Sequence, residues 1–229
     1  MPTISYLVTC CNETTTLTNL LKALRPILGN DEVVILMDSE YANESNPTHN
    51  IVGAFHHDIG SRILAHPLAK DYGSHKNFGI EHCSGDYIFQ IDGDEMIPEA
   101  LMGENLHSLV KSNSTIEAYA VPRINAWHGL TAEHAKQWGW PLDTSPTYQR
   151  LRAAWPDYQW RIFKNAPHIR FQKRLHERID GFKSYALLPA EEEWALYHDK
   201  TIETQIKTNI RYNEWFTAAE NAGVSNKVA

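Results

Sequence analysis

Three carboxylates and a glycine follow a short, largely apolar run near the middle of the chain. Residues 87–91 predict a buried strand, and Asp92-Gly93-Asp94-Glu95 predict a tight turn at its carboxyl end. Carboxylates are hard oxygen ligands, and Mg²⁺ or Mn²⁺ commonly binds one or two of them together with phosphate oxygens. The turn could therefore hold a divalent ion against a diphosphate. A solvated acidic loop is the competing interpretation of the same residues.

Polar side chains also stand at the ends of two earlier predicted strands. Thr9 ends the first strand, with Asn12 and Glu13 just beyond it, and Asp38 ends the second. Ligands of open α/β sheets bind outside the carboxyl ends of the strands, so these groups could contact a base and a ribose. A helix-capping turn is the simpler explanation of Thr9 to Glu13, and Asp38 could cap the segment that follows it.

Cationic side chains that could neutralise a phosphate occur in two places. Lys76 lies on the helix predicted before the acidic strand, beside Asn77, whose amide could hydrogen-bond a nucleotide. A denser basic tract lies further on, and it predicts either an anionic ligand or the charged face of an exposed hairpin. The tract consists of Arg161, Lys164, Arg170, Lys173, Arg174, Arg178 and Lys183.

Two histidines are candidates for chemistry. His176 precedes Glu177 within the basic tract, but Asp180 stands where a zinc protease of the H-E-x-x-H type needs its second histidine. His198 follows the apolar residues 194–197, at a position where a histidine could complete a metal shell. A lone histidine of this kind is more often structural.

The composition limits the class of protein. The chain has 229 residues, 42% of them hydrophobic, which is enough for one well-buried domain. A formal charge of −7 argues against a dedicated nucleic-acid binder. Three cysteines without a spacing pattern predict no disulfide framework and a reducing, cytoplasmic setting. No apolar run approaches a membrane span and no signal-peptide pattern is present, so a membrane-bound acceptor would be met at the surface.

The order of predicted elements is that of a parallel sheet. Strands over 4–9 and 33–37 flank a helix over 14–28, and a strand, helix and strand within about 35 residues make a βαβ unit. Residues 126–156 carry Gly, Pro and Trp without periodicity and are interpreted as a functional excursion. The other predicted elements are a loop over 39–50, strands over 62–65, 86–91, 117–123, 158–163 and 169–171, and helices over 71–83, 98–111 and 202–221.

Taken in order, these residues resemble an inverting glycosyltransferase of family 2 with the GT-A fold. They are similar to the small bacterial members that extend lipopolysaccharide cores or related glycans. The resemblance implies one α/β domain over 1–229, with a mixed, mostly parallel central sheet flanked by helices. Residues 1–95 would form its nucleotide-binding half and 96–229 its acceptor-binding half. The matching residues are Thr9, Asn12, Glu13, Asp38, 76–79, 85–88, 92–95, 161–163, His176, Glu177, His198, Arg211 and Tyr212.

The resemblance also implies roles for these residues. The nucleotide donor would be bound by Thr9, Asn12, Glu13, Asp38, Lys76, Asn77, Asp92 and Gly93, and Glu95 would support the sugar or the turn. Mn²⁺ or Mg²⁺ would be held by Asp92, Asp94 and His198. Two departures from the family pattern matter: Met37 replaces the first of two aspartates at the second strand end, and the usual Glu-Asp base motif is absent.

Inversion needs a base that takes the proton of the acceptor hydroxyl. Glu177 is the first candidate and His176 the second, ahead of Asp143 and Asp157. The expected reaction is metal-dependent transfer from a nucleotide diphosphate, with a UDP-sugar as donor, to a hydroxyl of a glycan or glycolipid. Such an acceptor could be met at the inner face of a membrane. An acceptor platform could come from five tryptophans, of which at least two are expected in the core: Trp127, Trp138, Trp140, Trp155 and Trp160.

Three other functions remain open from the sequence. A nucleotidyltransferase also uses carboxylates and Mg²⁺, but residues 9–13 lack the Gly-rich basic loop that such enzymes carry. A non-catalytic carbohydrate-binding protein would use the tryptophans and would not need Asp92 and Asp94. A glycosyltransferase acting on modified DNA bases is permitted by the basic tract and disfavoured by the net charge.

Overall fold

The computed structural model describes residues 1–27, 29–143, 152–153 and 155–221. Within them the strands are β1 (Ile4–Cys10), β2 (Glu32–Asp38), β3 (Arg62–His66), β4 (Tyr87–Asp92), β5 (Glu95–Met96), β6 (Ala118–Val121), β7 (Arg123–His128), β8 (Leu142–Asp143), β9 (Arg152–Ala153), β10 (Gln159–Lys164), β11 (Arg170–Gln172), β12 (Arg178–Asp180), β13 (Tyr185–Leu187) and β14 (Leu196–Thr201). The α-helices are α1 (Thr15–Leu24), α2 (Pro47–Ile59), α3 (Tyr72–Glu81), α4 (Gly103–Ser112), α5 (Ala132–Trp138), α6 (Ile202–Trp215) and α7 (Ala218–Asn221).

A mixed sheet in the order β13-β6-β10-β4-β1-β2-β3 forms the centre of the described fold. β1 pairs in parallel with β2 and β4, and β2 with β3, whereas β10 runs antiparallel to both of its neighbours. The predicted α/β fold with a mixed, mostly parallel central sheet is therefore confirmed. Because β1, β2 and β4 are parallel and adjacent, their carboxyl ends meet at one edge, where Thr9 lies opposite Asp92.

Both faces of this sheet are covered, which explains why its central strands are apolar at nearly every position. Alternate residues of β1 belong to different cores. Tyr6 and Val8 lie in the core that contains residues of α1, α2 and α4, whereas Leu7 lies in the core that contains Ile80 of α3. This packing fixes the strand register, because a one-residue slip would turn every side chain to the other face.

A smaller sheet, in the order β5-β14-β7-β9-β8, adjoins the acidic turn. β5 begins at Glu95 and pairs antiparallel with β14, which in turn runs parallel to β7. The register places Glu95, His198 and Asn125 side by side on three strands. Strand pairing therefore carries the late histidine to the acidic turn.

Several sequence predictions of secondary structure were wrong in part. The helix predicted over 98–111 is a 3-10 turn at Glu99–Leu101 followed by α4, and the strand predicted over 117–123 is divided between β6 and β7. The predicted loop over 39–50 runs into helix α2, whose first turn is capped by the Asn46 side chain through the Thr48 N–H. Helix α1 ends at Leu24 rather than at 28, and a 3-10 turn follows because Pro26 has no N–H to donate. The final helix is split, since the extended backbone at Phe216 separates α6 from α7.

The predicted excursion over 126–156 is partly regular. Within its described residues it contains the end of β7, the short helix α5 and the paired strands β8 and β9. Thr131 caps α5 with its side chain, and Gly139 ends the helix in the left-handed conformation at φ 67°. Helix α5 has seven residues and β8 and β9 have two each, which is too short for an apolar period to show in the sequence.

Candidate active site

The acidic turn is packed directly against the end of β1. The Gly93 N–H donates to the carbonyl of Thr9 at 2.8 Å, and the Thr9 hydroxyl donates to Asp92 Oδ1 at 2.8 Å. A side chain at position 93 would place its Cβ 3.1 Å from the Cβ of Cys10, so glycine suits this close approach. The turn is therefore held in one position relative to the strand ends.

Asp92 lies between two cations of the protein. Its Oδ2 accepts from Arg161 at 2.7 Å, and its Oδ1 lies 3.0 Å from Lys76 Nζ. Burial alone would raise the pKa of Asp92, but Arg161 and Lys76 hold that pKa well below its usual range. Asp92 is therefore ionised and already has two positive partners.

Glu95 lies beneath the turn and is fully buried. Its Oε1 accepts from Arg161 at 2.6 Å and from Arg123 at 3.0 Å, while its Oε2 accepts the backbone N–H of Asp92 at 3.1 Å. The carboxylate thus joins both arginines to the turn. This geometry gives Glu95 a supporting position under the turn, away from solvent.

Asp94 faces the residues that β14 brings to the turn. Its Oδ2 lies 3.3 Å from His198 Nε2 and 2.9 Å from Lys200 Nζ. Burial would raise the pKa of Asp94, but His198 and Lys200 lower it below the usual range. The other ring nitrogen of His198, Nδ1, lies 2.8 Å from the Asn125 side-chain oxygen.

The three predicted metal ligands are close to one another but not equivalent. Asp94 and His198 are in contact, whereas Asp92 faces Lys76 and Arg161. In the described part of the chain, no three His, Cys, Asp or Glu side chains form a group that could hold a metal by themselves. A metal here would need further ligands from a bound molecule.

Lys76 links the acidic turn to the first candidate base. Its Nζ lies 3.0 Å from Asp92 Oδ1 and 2.8 Å from Glu177 Oε1. Burial would lower the pKa of Lys76, but Asp92 and Glu177 raise it overall, so the ammonium stays charged. The ring of His176 packs at nearly a right angle against the ring of Tyr212 on α6, with the ring centroids 6.3 Å apart.

A polar cavity of about 190 Å³ opens between β4, β10 and the β11–β12 hairpin. Glu177 and Asp92 lie on its wall together with several cations. The exposed Arg178 also lines it and has no carboxylate partner among the described residues. The full lining is Lys76, Asp92, Arg123, Tyr158, Gln159, Trp160, Arg161, Phe171, His176, Glu177 and Arg178.

Three predicted nucleotide contacts bond mainly to the protein backbone. Glu13 accepts from the N–H groups of Cys11 and Asn12, and Asp38 accepts from those of Glu40 and Leu68. The Asn77 amide both donates to and accepts from the backbone of Phe171 at 2.9 Å, which ties α3 to β11. These contacts position loops at the strand ends.

The basic tract does not form one surface. Arg161 is buried in the site, Arg170 donates to the carbonyls of Ala166 and Ile169, and Arg174 pairs with Glu220 of α7. Arg178 faces the cavity. The predicted cationic cluster is therefore wrong as a single surface, because the hairpin and its loops direct these side chains to different places.

The tryptophans proposed as an acceptor platform lie in different places in the structure. Trp127 is buried, stacks on Trp140 at 4.4 Å between ring centroids, and meets the His198 ring edge-on at 6.3 Å. Trp138 extends this group. Trp160 instead packs against the second core, with Phe182. The side chain of Asp143, a minor candidate base, lies outside the described residues.

Several site residues were missed in the sequence. They include Gln90, Arg123, Asn125 and Lys200. Gln90 interrupts an otherwise apolar central strand, Arg123 and Asn125 alternate along one strand, and Lys200 lies two residues after the predicted ligand His198; these patterns are the signals that could have identified them. Arg211 of α6 was noted for the resemblance alone. Its Nε is buried without a partner among the described residues, and its guanidinium lies 5.3 Å from the Trp215 ring.

The charge of Arg211 lowers the pKa values of two groups near the end of β1, Cys11 and Tyr72. Burial raises the pKa of the Cys11 thiol to about 12, and the charge of Arg211 opposes that rise. The same charge opposes the burial-driven rise in the pKa of Tyr72. Arg211, whose Nε has no partner among the described residues, is therefore close enough to Cys11 and Tyr72 for its charge to lower their pKa values.

The family model described as "Glycosyl transferase family 2" matches residues 5–183. The chain belongs to this glycosyltransferase family. A search of curated proteins found no match. Among the described residues, no helix is long and apolar enough to cross a membrane.

Solved structures show the same fold. Staphylococcus aureus TarS matches with a TM-score of 0.51 and 15% identity, over 81% of this chain and 36% of TarS. TarS 1–349 in complex with UDP gives the same TM-score and identity, over 81% of this chain and 60% of the other. This chain thus spans between about a third and three fifths of those proteins. The GT-A fold that the sequence predicted is confirmed.

Proposed function

We propose that this protein is a metal-dependent inverting glycosyltransferase. It transfers a sugar from a nucleotide diphosphate, with a UDP-sugar as donor, to a hydroxyl of a glycan or glycolipid. The observation that carries the proposal is the meeting of Asp94, His198, Lys76 and Glu177 around one acidic turn at the carboxyl edge of the sheet. The chain would act as one domain, with residues 1–95 binding the nucleotide and 96–229 the acceptor.

The donor nucleotide would lie along the ends of β1 and β2. Thr9, Asn12, Glu13 and Asp38 line this part of the edge, and Arg211 above it offers a cation to the diphosphate. UDP is the nucleotide bound in TarS 1–349, which shares the fold. Asn77 and Gly93 would serve the nucleotide indirectly, by fixing the hairpin and the turn.

Asp94 and His198 fit a divalent cation. An imidazole nitrogen and a carboxylate oxygen suit Mn²⁺, and a diphosphate would supply further oxygens. His198 turns Nδ1 to Asn125 and so leaves Nε2 toward Asp94. Lys200 would have to release Asp94, and Asp92 would approach the ion only if it left its own cations. The ion would offset the negative charge that develops on the leaving diphosphate.

Glu177 is the proposed base. The acceptor oxygen bonds to the anomeric carbon as the bond from that carbon to the diphosphate oxygen breaks, and the acceptor proton passes to the Glu177 carboxylate. The broken bond's electron pair leaves with the diphosphate. Glu177 lines the cavity and is oriented by Lys76 at 2.8 Å. His176 is the second candidate.

Asp157 is poorly suited to be the base. Burial would raise its pKa, but Arg123 and the hydrogen bonds of Asn125 and Gln159 lower it. A carboxylate with a depressed pKa is a weak proton acceptor. Its contacts with Arg123, Asn125 and Gln159 instead give Asp157 a structural role.

The acceptor would enter from the cavity side. Arg178 and Trp160, which line this cavity, are the groups proposed to contact it, since sugar faces pack well on aromatic rings. The protein would work in the cytoplasm, where a glycolipid acceptor would be met at the inner face of a membrane.

A thermal-shift panel tests the proposal. Nucleoside diphosphates and nucleotide sugars are added with Mn²⁺ or with EDTA, and a bound ligand raises the melting temperature. We expect stabilisation by UDP or a UDP-sugar that requires Mn²⁺. Stabilisation by a free glycan that is indifferent to Mn²⁺ would favour a carbohydrate-binding protein instead.

A further inference from the structure

A chain of hydrogen bonds connects the excursion to the acidic turn. Asp157 Oδ2 accepts from the Asn125 amide nitrogen at 2.7 Å, and the Asn125 oxygen lies 2.8 Å from His198 Nδ1. His198 Nε2 lies 3.3 Å from Asp94 Oδ2. Asn125 and His198 are both more than nine-tenths buried, so water does not compete for these bonds.

The partners of Asp157, Asn125 and His198 Nδ1 determine the direction of the bonds between these three groups. Arg123 donates to Asp157 Oδ2 through two nitrogens, at 3.0 and 2.7 Å, and an ionised carboxylate only accepts. Asn125 must therefore turn its NH₂ to Asp157 and its oxygen to His198. Because an amide oxygen also only accepts, the hydrogen of a neutral His198 must be on Nδ1.

Resting on the proposed function, we infer that Asn125 is a positioning residue that selects the tautomer of His198. With Nδ1–H held by Asn125, Nε2 is the nitrogen that faces Asp94. In the metal-free protein Nε2 can donate to that carboxylate, and without its hydrogen Nε2 and Asp94 can bind one divalent cation. Asp157 fixes the amide orientation of Asn125. Partners that orient a ligating histidine in this way are commonly worth 10- to 100-fold in metal affinity.

The same network ties the histidine to the acidic turn. Arg123 donates to Asp157 and also to Glu95 Oε1 at 3.0 Å, and Glu95 accepts the backbone N–H of Asp92. Arg123, a partly buried arginine, thus sets the position both of Asp157, which supports Asn125 and His198, and of the turn that carries Asp94. Asp94 and His198 are therefore both held in position through the contacts of Arg123.

Two measurements test the inference. The first is the tautomer of His198 in metal-free Asp94→Ala, which removes the carboxylate that would hold a hydrogen on Nε2. The tautomer is read from long-range ¹H–¹⁵N NMR at a pH where the ring is neutral. We expect the Nδ1–H form in Asp94→Ala and its loss when Asn125→Leu is added. A His198 in the Nε2–H form in Asp94→Ala would overturn the inference even if the double variant failed to fold.

The second measurement is Mn²⁺ affinity by electron paramagnetic resonance, with UDP present. Asn125→Leu should bind Mn²⁺ about 10- to 100-fold more weakly than the wild type. Asn165→Leu is the matched control, because Asn165 donates two hydrogen bonds to the carbonyls of Cys83 and Gly85, at the opposite end of β4 from the turn. Equal Mn²⁺ affinity in Asn125→Leu and the wild type would contradict the inference. Absence of Mn²⁺ binding in the wild type would count against the proposed metal, while the tautomer would still decide the role of Asn125.

Discussion

Arg161→Leu should destabilise the protein strongly, because Arg161 is a buried cation shared by two carboxylates. Its guanidinium lies 2.7 Å from Asp92 and 2.6 Å from Glu95, and it also donates to Gln90. Removing one partner of a buried ion pair costs about 3–5 kcal/mol. At about 2–4 °C per kcal/mol for a chain of this size, the melting temperature should fall by roughly 6–20 °C.

The loss should also depend on pH. Burial raises the pKa of Asp92, and Arg161 is the largest of the influences that lower it again, to well below its usual range. A carboxyl with a depressed folded-state pKa stabilises the protein above its unfolded pKa of about 3.9, and this stability is lost as the pH falls toward the folded-state value. The variant lacks the largest of the influences that lower the pKa of Asp92. The difference in unfolding free energy between wild type and variant should therefore be largest near neutral pH and shrink below about pH 5.

Urea unfolding followed by circular dichroism, repeated at several pH values, measures both effects. Arg170→Leu is the matched control, because Arg170 donates to backbone carbonyls and has no carboxylate partner among the described residues. A loss in Arg161→Leu below about 1 kcal/mol, as for an exposed ion pair, would refute the reasoning. A loss of equal size at every pH would refute the electrostatic part of it.

Three further predictions concern the chemistry. Lys200→Met should bind Mn²⁺ alone about tenfold more tightly, because the Lys200 ammonium contacts Asp94 at 2.9 Å and repels a divalent ion there; weaker Mn²⁺ binding by paramagnetic resonance would show that Lys200 is not a competitor. Glu177→Gln should lower kcat by about 10²- to 10⁴-fold at unchanged donor affinity, and His176→Gln by much less; the reverse order in a transfer assay would make His176 the base. Arg211→Gln should weaken UDP binding by about tenfold in a calorimetric titration, as expected for the loss of a charge-assisted contact, and should leave the melting temperature of the protein unchanged. Unaltered UDP affinity would remove Arg211 from the diphosphate site.

Much of the fold could be predicted because the central strands are uniformly apolar. β1, β2 and β4 stand out in the sequence for that reason, and the parallel arrangement places Thr9, Asp38 and Asp92 at one edge. Helix α2 could not be predicted in the same way. Its buried face is narrow, with Val52 and Phe55 among exposed histidines, so the apolar period is weak.

The contacts among the site residues that are distant in sequence were harder to predict. Asp94 and His198 are more than a hundred residues apart, and it is the pairing of β5 with β14 that brings them together. Asp157 was considered only as a minor base, because its partners Arg123 and Asn125 lie 34 and 32 residues away in the sequence. The ion pairs of Arg161 depend likewise on antiparallel pairing between β10 and β4.

Titration calorimetry of UDP tests the central claim most directly. UDP is added to the wild type with Mn²⁺, to the wild type with EDTA, and to Asp94→Asn with Mn²⁺. We predict measurable binding to the wild type with Mn²⁺, and equally weakened binding in the other two titrations, because both remove the metal that joins Asp94 to the diphosphate. UDP affinity that is the same with Mn²⁺ and EDTA, or a full Mn²⁺ effect retained in Asp94→Asn, would contradict the account.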